Sequence, residues 1–162
     1  MFKQLFNESL VFLNYDVENA EDFIYKMSLY LQEKGMVLPT YVDAVLNREK
    51  VFPTGLPTIP FPVAIPHGDP EHVIRPCIVV AKPRVAIEFG EMASINGKVK
   101  ARYIFMLVIK KAEDQIVLLQ SMIDMFMNKE AMYRLDEAKT KKEIIEVLSS
   151  YLLENKKKGE SE

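Results

Sequence analysis

The chain has 162 residues, 49% of them hydrophobic, which is enough for one core and too few for two ordinary domains. Its 21 basic and 23 acidic residues leave a formal charge of -2, so no strong field favours nucleic acid or an anionic lipid surface. The single cysteine, Cys77, excludes an intramolecular disulfide framework and a multi-cysteine zinc site, which fits a reducing, cytoplasmic setting. No apolar run approaches the roughly 20 residues needed to span a bilayer, and no export signal is visible, so direct membrane insertion is not expected.

In chain order, Leu10 to Leu13 is a short apolar run that can form a strand, punctuated by Asn14-Tyr15-Asp16. From Asn19 onward Ala20, Phe23, Ile24, Met27 and Leu31 recur at helical spacing, with acidic residues near the start and Lys34-Gly35 at the end. Thr40 is placed to cap a second helix through Tyr41, Val42, Val45 and Leu46, whose last turn is charged. Four prolines between residues 53 and 62 oppose both helix and central strand and predict a rigid loop. Strands are expected at Val63 to Ile65, Cys77 to Ala81 and Tyr103 to Ile109, the last without alternation and so buried on both faces, with an edge strand at Val85 to Phe89. Amphipathic helices follow around Gln115 to Phe126 and Ile144 to Leu152. The expected fold is a single α/β domain over residues 5–154, a mixed sheet flanked by helices on both faces, with a disordered polar tail at 155–162.

His67 is one of only two histidines and leaves the apolar run Phe61-Pro62-Val63-Ala64-Ile65 between Pro66 and Gly68. Proline fixes its own φ and biases the preceding residue toward extended backbone, while glycine permits a sharp turn or a close approach. An imidazole at such a strand end can be a base, a metal ligand or a nucleophile. Upstream, Arg48 offers a planar guanidinium suited to phosphoryl oxygens, and Thr54 and Gly55 offer possible phosphate donors. Cys77 lies within Cys77-Ile78-Val79-Val80-Ala81, a setting for a buried strand thiol rather than a reactive one.

Three separated segments resemble the enzyme IIA family of the phosphoenolpyruvate-dependent sugar phosphotransferase system, in its mannitol/fructose-type fold group and nearest the galactitol-specific branch. They are Arg48-Glu49 with Phe52-Pro53-Thr54-Gly55, Ala64-Ile65-Pro66-His67 with Asp69-Pro70-Glu71-His72-Val73, and Phe105-Met106-Leu107 before Gln115-Ile116-Val117-Leu118-Leu119. The likeness covers about residues 5–150. It implies the phosphotransferase/anion transport protein-like fold and a phosphotransferase activity. His67 would accept a phosphoryl group from the phosphocarrier protein HPr and pass it to a cysteine of a IIB component, with a membrane IIC component further along. Arg48 is implied as the active-site arginine. Gly68, Gln115 and His72 join Thr54 and Gly55 as supporting candidates. Gln115 stands where mannitol-type members carry a second histidine; its amide can donate to a phosphoryl oxygen but cannot titrate near neutrality.

No cofactor or metal is implied. Two other functions stay open from the residues: a regulatory relative signalling through His67 phosphorylation, and a metal-dependent hydrolase built from His67, Asp69 and His72, whose ligand set is short of a closed site. A Met-rich helix carrying Met122, Met125 and Met127 can supply core filler or a docking face.

Overall fold

A computed structural model describes the backbone of residues 2–160 and the side chains of residues 4–152. Among the described residues, seven strands and five helices follow two short 3-10 turns: β1 (Val11–Tyr15), α1 (Ala20–Glu33), α2 (Tyr41–Val51), β2 (Gly55–Leu56), β3 (Val63–Ala64), β4 (Cys77–Pro83), β5 (Ile87–Gly90), β6 (Lys98–Ala101), β7 (Tyr103–Val108), α3 (Ala112–Phe126), α4 (Lys129–Glu137) and α5 (Lys141–Glu160). A third 3-10 turn, Pro70–His72, lies between β3 and β4.

The main sheet has the order β1-β4-β7-β3-β2. β1 is parallel to β4, β4 antiparallel to β7, β7 parallel to β3, and β3 antiparallel to β2, so its direction is mixed as expected. The period-2 alternation of strand side chains divides the core in two. Ile78, Val80, Tyr103, Phe105 and Leu107 face α3, α4 and α5, while Cys77, Val79, Ala81, Ile104 and Met106 face α1 and α2. All six residues of β7 are buried, which is why its sequence lacks polar alternation.

Local chemistry sets the helix ends. Asn19 accepts the Asp22 amide at 2.8 Å to start α1. At its end Gly35 takes φ 72°, the Gly35 amide donates to Gln32 and the Met36 amide to Leu31, the paired bonds of a Schellman motif. Thr40 departs from expectation: its side chain makes no capping bond to α2, because the hydroxyl is hydrogen-bonded to His72 Nδ1 at 2.8 Å.

Three elements escaped the sequence reading. β2 forms inside the proline-rich segment expected to be all loop, where Gly55-Leu56 lies between prolines and pairs with Ala64-Val63. β6 pairs with β5 in a separate two-stranded sheet. α4 is capped by the Asn128 side chain, which accepts the Ala131 amide at 3.0 Å, and buries only Ala131, Met132 and Leu135. The backbone of α5 continues through residues 155–160 of the polar segment read as a tail, and residues 161–162 lie outside the described residues. No helix among the described residues is long and apolar enough to cross a membrane.

Candidate functional site

His67 lies just beyond β3, where the chain still runs alongside β7: the Leu107 amide donates to the Pro66 carbonyl at 3.1 Å, and His67 bridges to Leu107 in parallel register. The site therefore sits at the carboxyl ends of the parallel pair β3 and β7, where α/β sheets commonly open a crevice. The cleft there has a volume of about 560 Å³ and is walled by Arg48, Phe52, Pro53 and Thr54, by Met92 to Ile95 of the β5–β6 turn, and by Leu119 and Ile123 of α3.

His67 is only 7% exposed. Its Nδ1 lies 2.7 Å from the carbonyl of Ile65. A carbonyl can only accept, so Nδ1 carries the proton and neutral His67 keeps its lone pair on Nε2. No hydrogen-bond partner for Nε2 occurs among the described residues. Burial holds the imidazole pKa below its ordinary 6.5, with Arg48 adding to the shift, while the bond to Ile65 and the charge of Asp69 oppose it. The ring is thus neutral at physiological pH, with its free lone pair oriented away from Ile65.

Arg48 stands in the last turn of α2, with its guanidinium 5.7 Å from the ring centre of Phe52 and Nη1 3.4 Å from Asp69 Oδ1. Its Nε is buried and has no partner among the described residues. A guanidinium lining the same cleft as a neutral imidazole is equipped to receive anionic oxygens.

The remaining candidates divide. Gln115, in the first turn of α3, donates through Nε2 to the Gly68 carbonyl at 3.3 Å, so it braces the residue after His67. Gly68 serves the packing of α2: a Cβ there would lie 3.0 Å from Val45 Cγ2 and 3.4 Å from the Tyr41 ring. Thr54 lines the cleft, but its amide and hydroxyl donate to Glu49 at 2.9 and 2.8 Å, which corrects the reading of it as a phosphate donor in this conformation. Gly55 lies on β2 against Gly90 of the β5–β6 hairpin and does not line the cleft. His72 faces a neighbouring groove with Thr40, Asn47 and Asp69, its Nδ1 bonded to Thr40 and its Nε2 3.4 Å from Glu71. Among the described residues no three His, Cys, Asp or Glu side chains converge as a metal set, so His67, Asp69 and His72 do not form one. Cys77 is buried in β4, and burial pushes its thiol up to about 12, which removes it as a nucleophile.

Sequence reasoning overlooked the apolar walls from α3 and from the Met92–Ile95 turn. The signal for the turn was Asn96-Gly97 ahead of alternating Lys98-Val99-Lys100-Ala101, a hairpin pattern. It also overlooked Glu49.

A neutral imidazole held by a backbone carbonyl, beside an arginine and within an apolar rim, marks an α/β protein with a cleft open to anionic groups. Residues 4–151 match the family described as "Phosphoenolpyruvate-dependent sugar phosphotransferase system, EIIA 2", and the chain belongs to that family. It is similar to the PTS system mannitol-specific EIICBA component of Pasteurella multocida, 37% identical over 87 residues, 52% of this chain and 14% of that protein. It is also similar to the PTS system galactitol-specific EIIA component of Escherichia coli (strain K12), 29% identical over 87 residues, 54% of this chain and 57% of that protein. The chain thus covers less than two thirds of the length of each of these relatives. Among solved structures it superposes on the complex of enzyme IIA mannitol and phosphorylated enzyme IIB mannitol from Escherichia coli with a TM-score of 0.73 and 24% identity, over 90% of this chain and 97% of that one, a likeness of fold.

Proposed function

We propose that His67 is the phosphoryl-carrying residue of a cytoplasmic phosphotransferase component that accepts phosphate from HPr and passes it to a cysteine of a cognate IIB protein, upstream of a membrane IIC component. The observation that carries the reading is the Nδ1 bond to Ile65, which leaves Nε2 as the reactive nitrogen. The Nε2 lone pair attacks phosphorus, the bond to the donor atom of HPr breaks as the new N–P bond forms, and the Nδ1 proton stays in its bond to Ile65, which steadies the charged ring. In the second transfer a IIB thiolate attacks the same phosphorus, the N–P bond breaks, and neutral His67 is restored.

Arg48 supports this by exchanging its 3.4 Å contact with Asp69 for phosphoryl oxygens, whose charge grows on the equatorial positions during transfer. Phe52 and Ile95, 63% and 97% exposed beside the cleft, offer apolar contact to a protein donor or acceptor rather than to a small polar sugar. Gln115 in place of a second histidine favours the galactitol-like branch. The competing regulatory role differs in lacking transfer to a IIB protein.

Incubation with phosphoenolpyruvate, enzyme I and HPr should add one phosphate to the chain, seen by intact mass, labile in acid and absent from His67→Ala. An unmodified wild type sinks the reading. Chasing the phosphorylated chain with galactitol-type and mannitol-type IIB proteins assigns the sugar branch, and the galactitol-like reading requires the faster loss of label to the former.

A further inference from the structure

Glu49 follows Arg48 on α2 but does not line the His67 cleft; it borders a separate crevice with Glu21, Leu46, Glu88 and Phe89. Its two carboxylate oxygens are both engaged. Oε1 accepts the Thr54 amide at 2.9 Å and Oε2 accepts the Thr54 hydroxyl at 2.8 Å. The Thr54 carbonyl then accepts the Ile65 amide at 3.2 Å, and the Ile65 carbonyl accepts His67 Nδ1 at 2.7 Å. These four bonds connect α2 to the imidazole through Thr54, the residue before β2, and Ile65, the residue that follows β3.

We infer that Glu49 is a positioning residue for His67: acting through Thr54 and Ile65, its carboxylate fixes the carbonyl that holds the imidazole in the Nδ1–H tautomer. The inference rests on the transfer reading above for its catalytic meaning, although not for its geometry.

The physical need is for a polar side chain that engages both Thr54 groups. Thr54 is 2% exposed and presents two donors side by side, so an apolar residue at position 49 would leave both without acceptors. The loop would then turn to satisfy them elsewhere, carrying the Thr54 carbonyl off the Ile65 amide. His67 gains its nucleophilic nitrogen only while the Ile65 carbonyl stays on Nδ1; once that bond loosens, the proton distributes over both nitrogens and the reactive lone pair is diluted. Burial raises the Glu49 carboxyl to about 7, against the opposing pull of the Thr54 bonds and Arg48. Ionising Glu49 near neutrality therefore costs stability.

The test uses the full chain and two independent readouts. In the unphosphorylated wild type, imidazole 15N NMR should report a single Nδ1–H tautomer for His67. Glu49→Ala should give a mixture of tautomers and slow phosphorylation by phospho-HPr by about 10-fold to 10²-fold, the range for a misplaced reacting group, with the KM for HPr unchanged. Glu49→Gln keeps an acceptor for the Thr54 amide and lets the hydroxyl reverse its role, so it should hold both the tautomer and the rate near wild type. Thr54→Val removes one bond at nearly constant volume, should give an intermediate tautomer ratio, and decides the matter if Glu49→Ala does not fold. A single Nδ1–H tautomer and a wild-type rate in folded Glu49→Ala, or in Thr54→Val should that variant have to decide, overturn the inference. If wild type takes no phosphate while the tautomer still follows Glu49, the transfer reading falls and the positioning relation stands.

Discussion

At the residue scale, two side chains divide the chemistry, and each can be tested alone. In the proposed transfer Arg48 contributes charge and a donor fork to the transition state, and it packs little of the core. Arg48→Ala should therefore slow phosphorylation of His67 by about 10²–10³ with the fold retained, as for other preorganised donors; a wild-type single-turnover rate would show that the guanidinium is not part of the site. For His67 the direction of the pKa shift fixes the pH behaviour. Burial favours the neutral ring in the folded chain, so an NMR titration of His67 should show a midpoint below the ordinary 6.5, and the nucleophile should be fully available at neutrality. A midpoint above 6.5 would mean that Asp69 and the Ile65 carbonyl outweigh desolvation.

At the element scale, the far end of β7 from the site is held by ions rather than by hydrophobic packing alone. Asp136 of α4 accepts from Arg102 Nε and Nη2 at 2.8 and 3.0 Å and from the Tyr103 hydroxyl, and lies 3.3 Å from Lys82 Nζ of β4. Burial opposes its ionisation, but these partners together hold the carboxyl at about 2. The network ties α4, the least apolar helix of its layer, to two central strands. Asp136→Asn should cost about 2 kcal/mol in denaturant unfolding, the scale of bonds to a charged group, and leave phosphoryl transfer intact. Because the folded pKa is depressed, the stabilisation is present above about 3.8 and lost as pH falls through 2, so the gap between wild type and variant should narrow in acid. A constant gap from pH 7 to pH 2 would assign the loss to packing.

At the scale of the whole molecule, the buried His67 and the half-buried Glu49 oppose one another in pH. His67 resists protonation, so its share of stability is present above 6.5 and lost as pH falls. Glu49 resists ionisation: its carboxyl, raised from 4.5 to about 7, contributes stability below 4.5 that is lost as pH rises through 7. Glu21, Glu88, Lys50 and Lys98 border the same crevice, and the adjacent Arg48 offsets part of that penalty. Glu49→Gln should therefore gain stability relative to wild type between pH 5 and pH 8, read as a difference in melting temperature. An unchanged difference across that range would show that Glu49 does not titrate there.

Much of this molecule was legible along the chain because the determining interactions are local. Asn19, Gly35 and the apolar spacing of α1 specify a helix from within itself, and a fully buried β7 reads as an unbroken apolar run. His67 between Pro66 and Gly68, with Arg48 upstream, was legible as a candidate site from its local sequence. β6 and α4 were not, since four residues of alternating charge and a helix with three buried side chains are held chiefly by what they pack against. The sequence by itself determined the two-faced sheet, the histidine and its arginine. Only the tertiary structure decided which imidazole nitrogen is free, that Thr54 is bound to Glu49 instead of waiting for an anion, and that Met92 to Ile95 wall the cleft. Each of those depends on groups brought together from distant segments, and no periodicity or spacing encodes a distance between them.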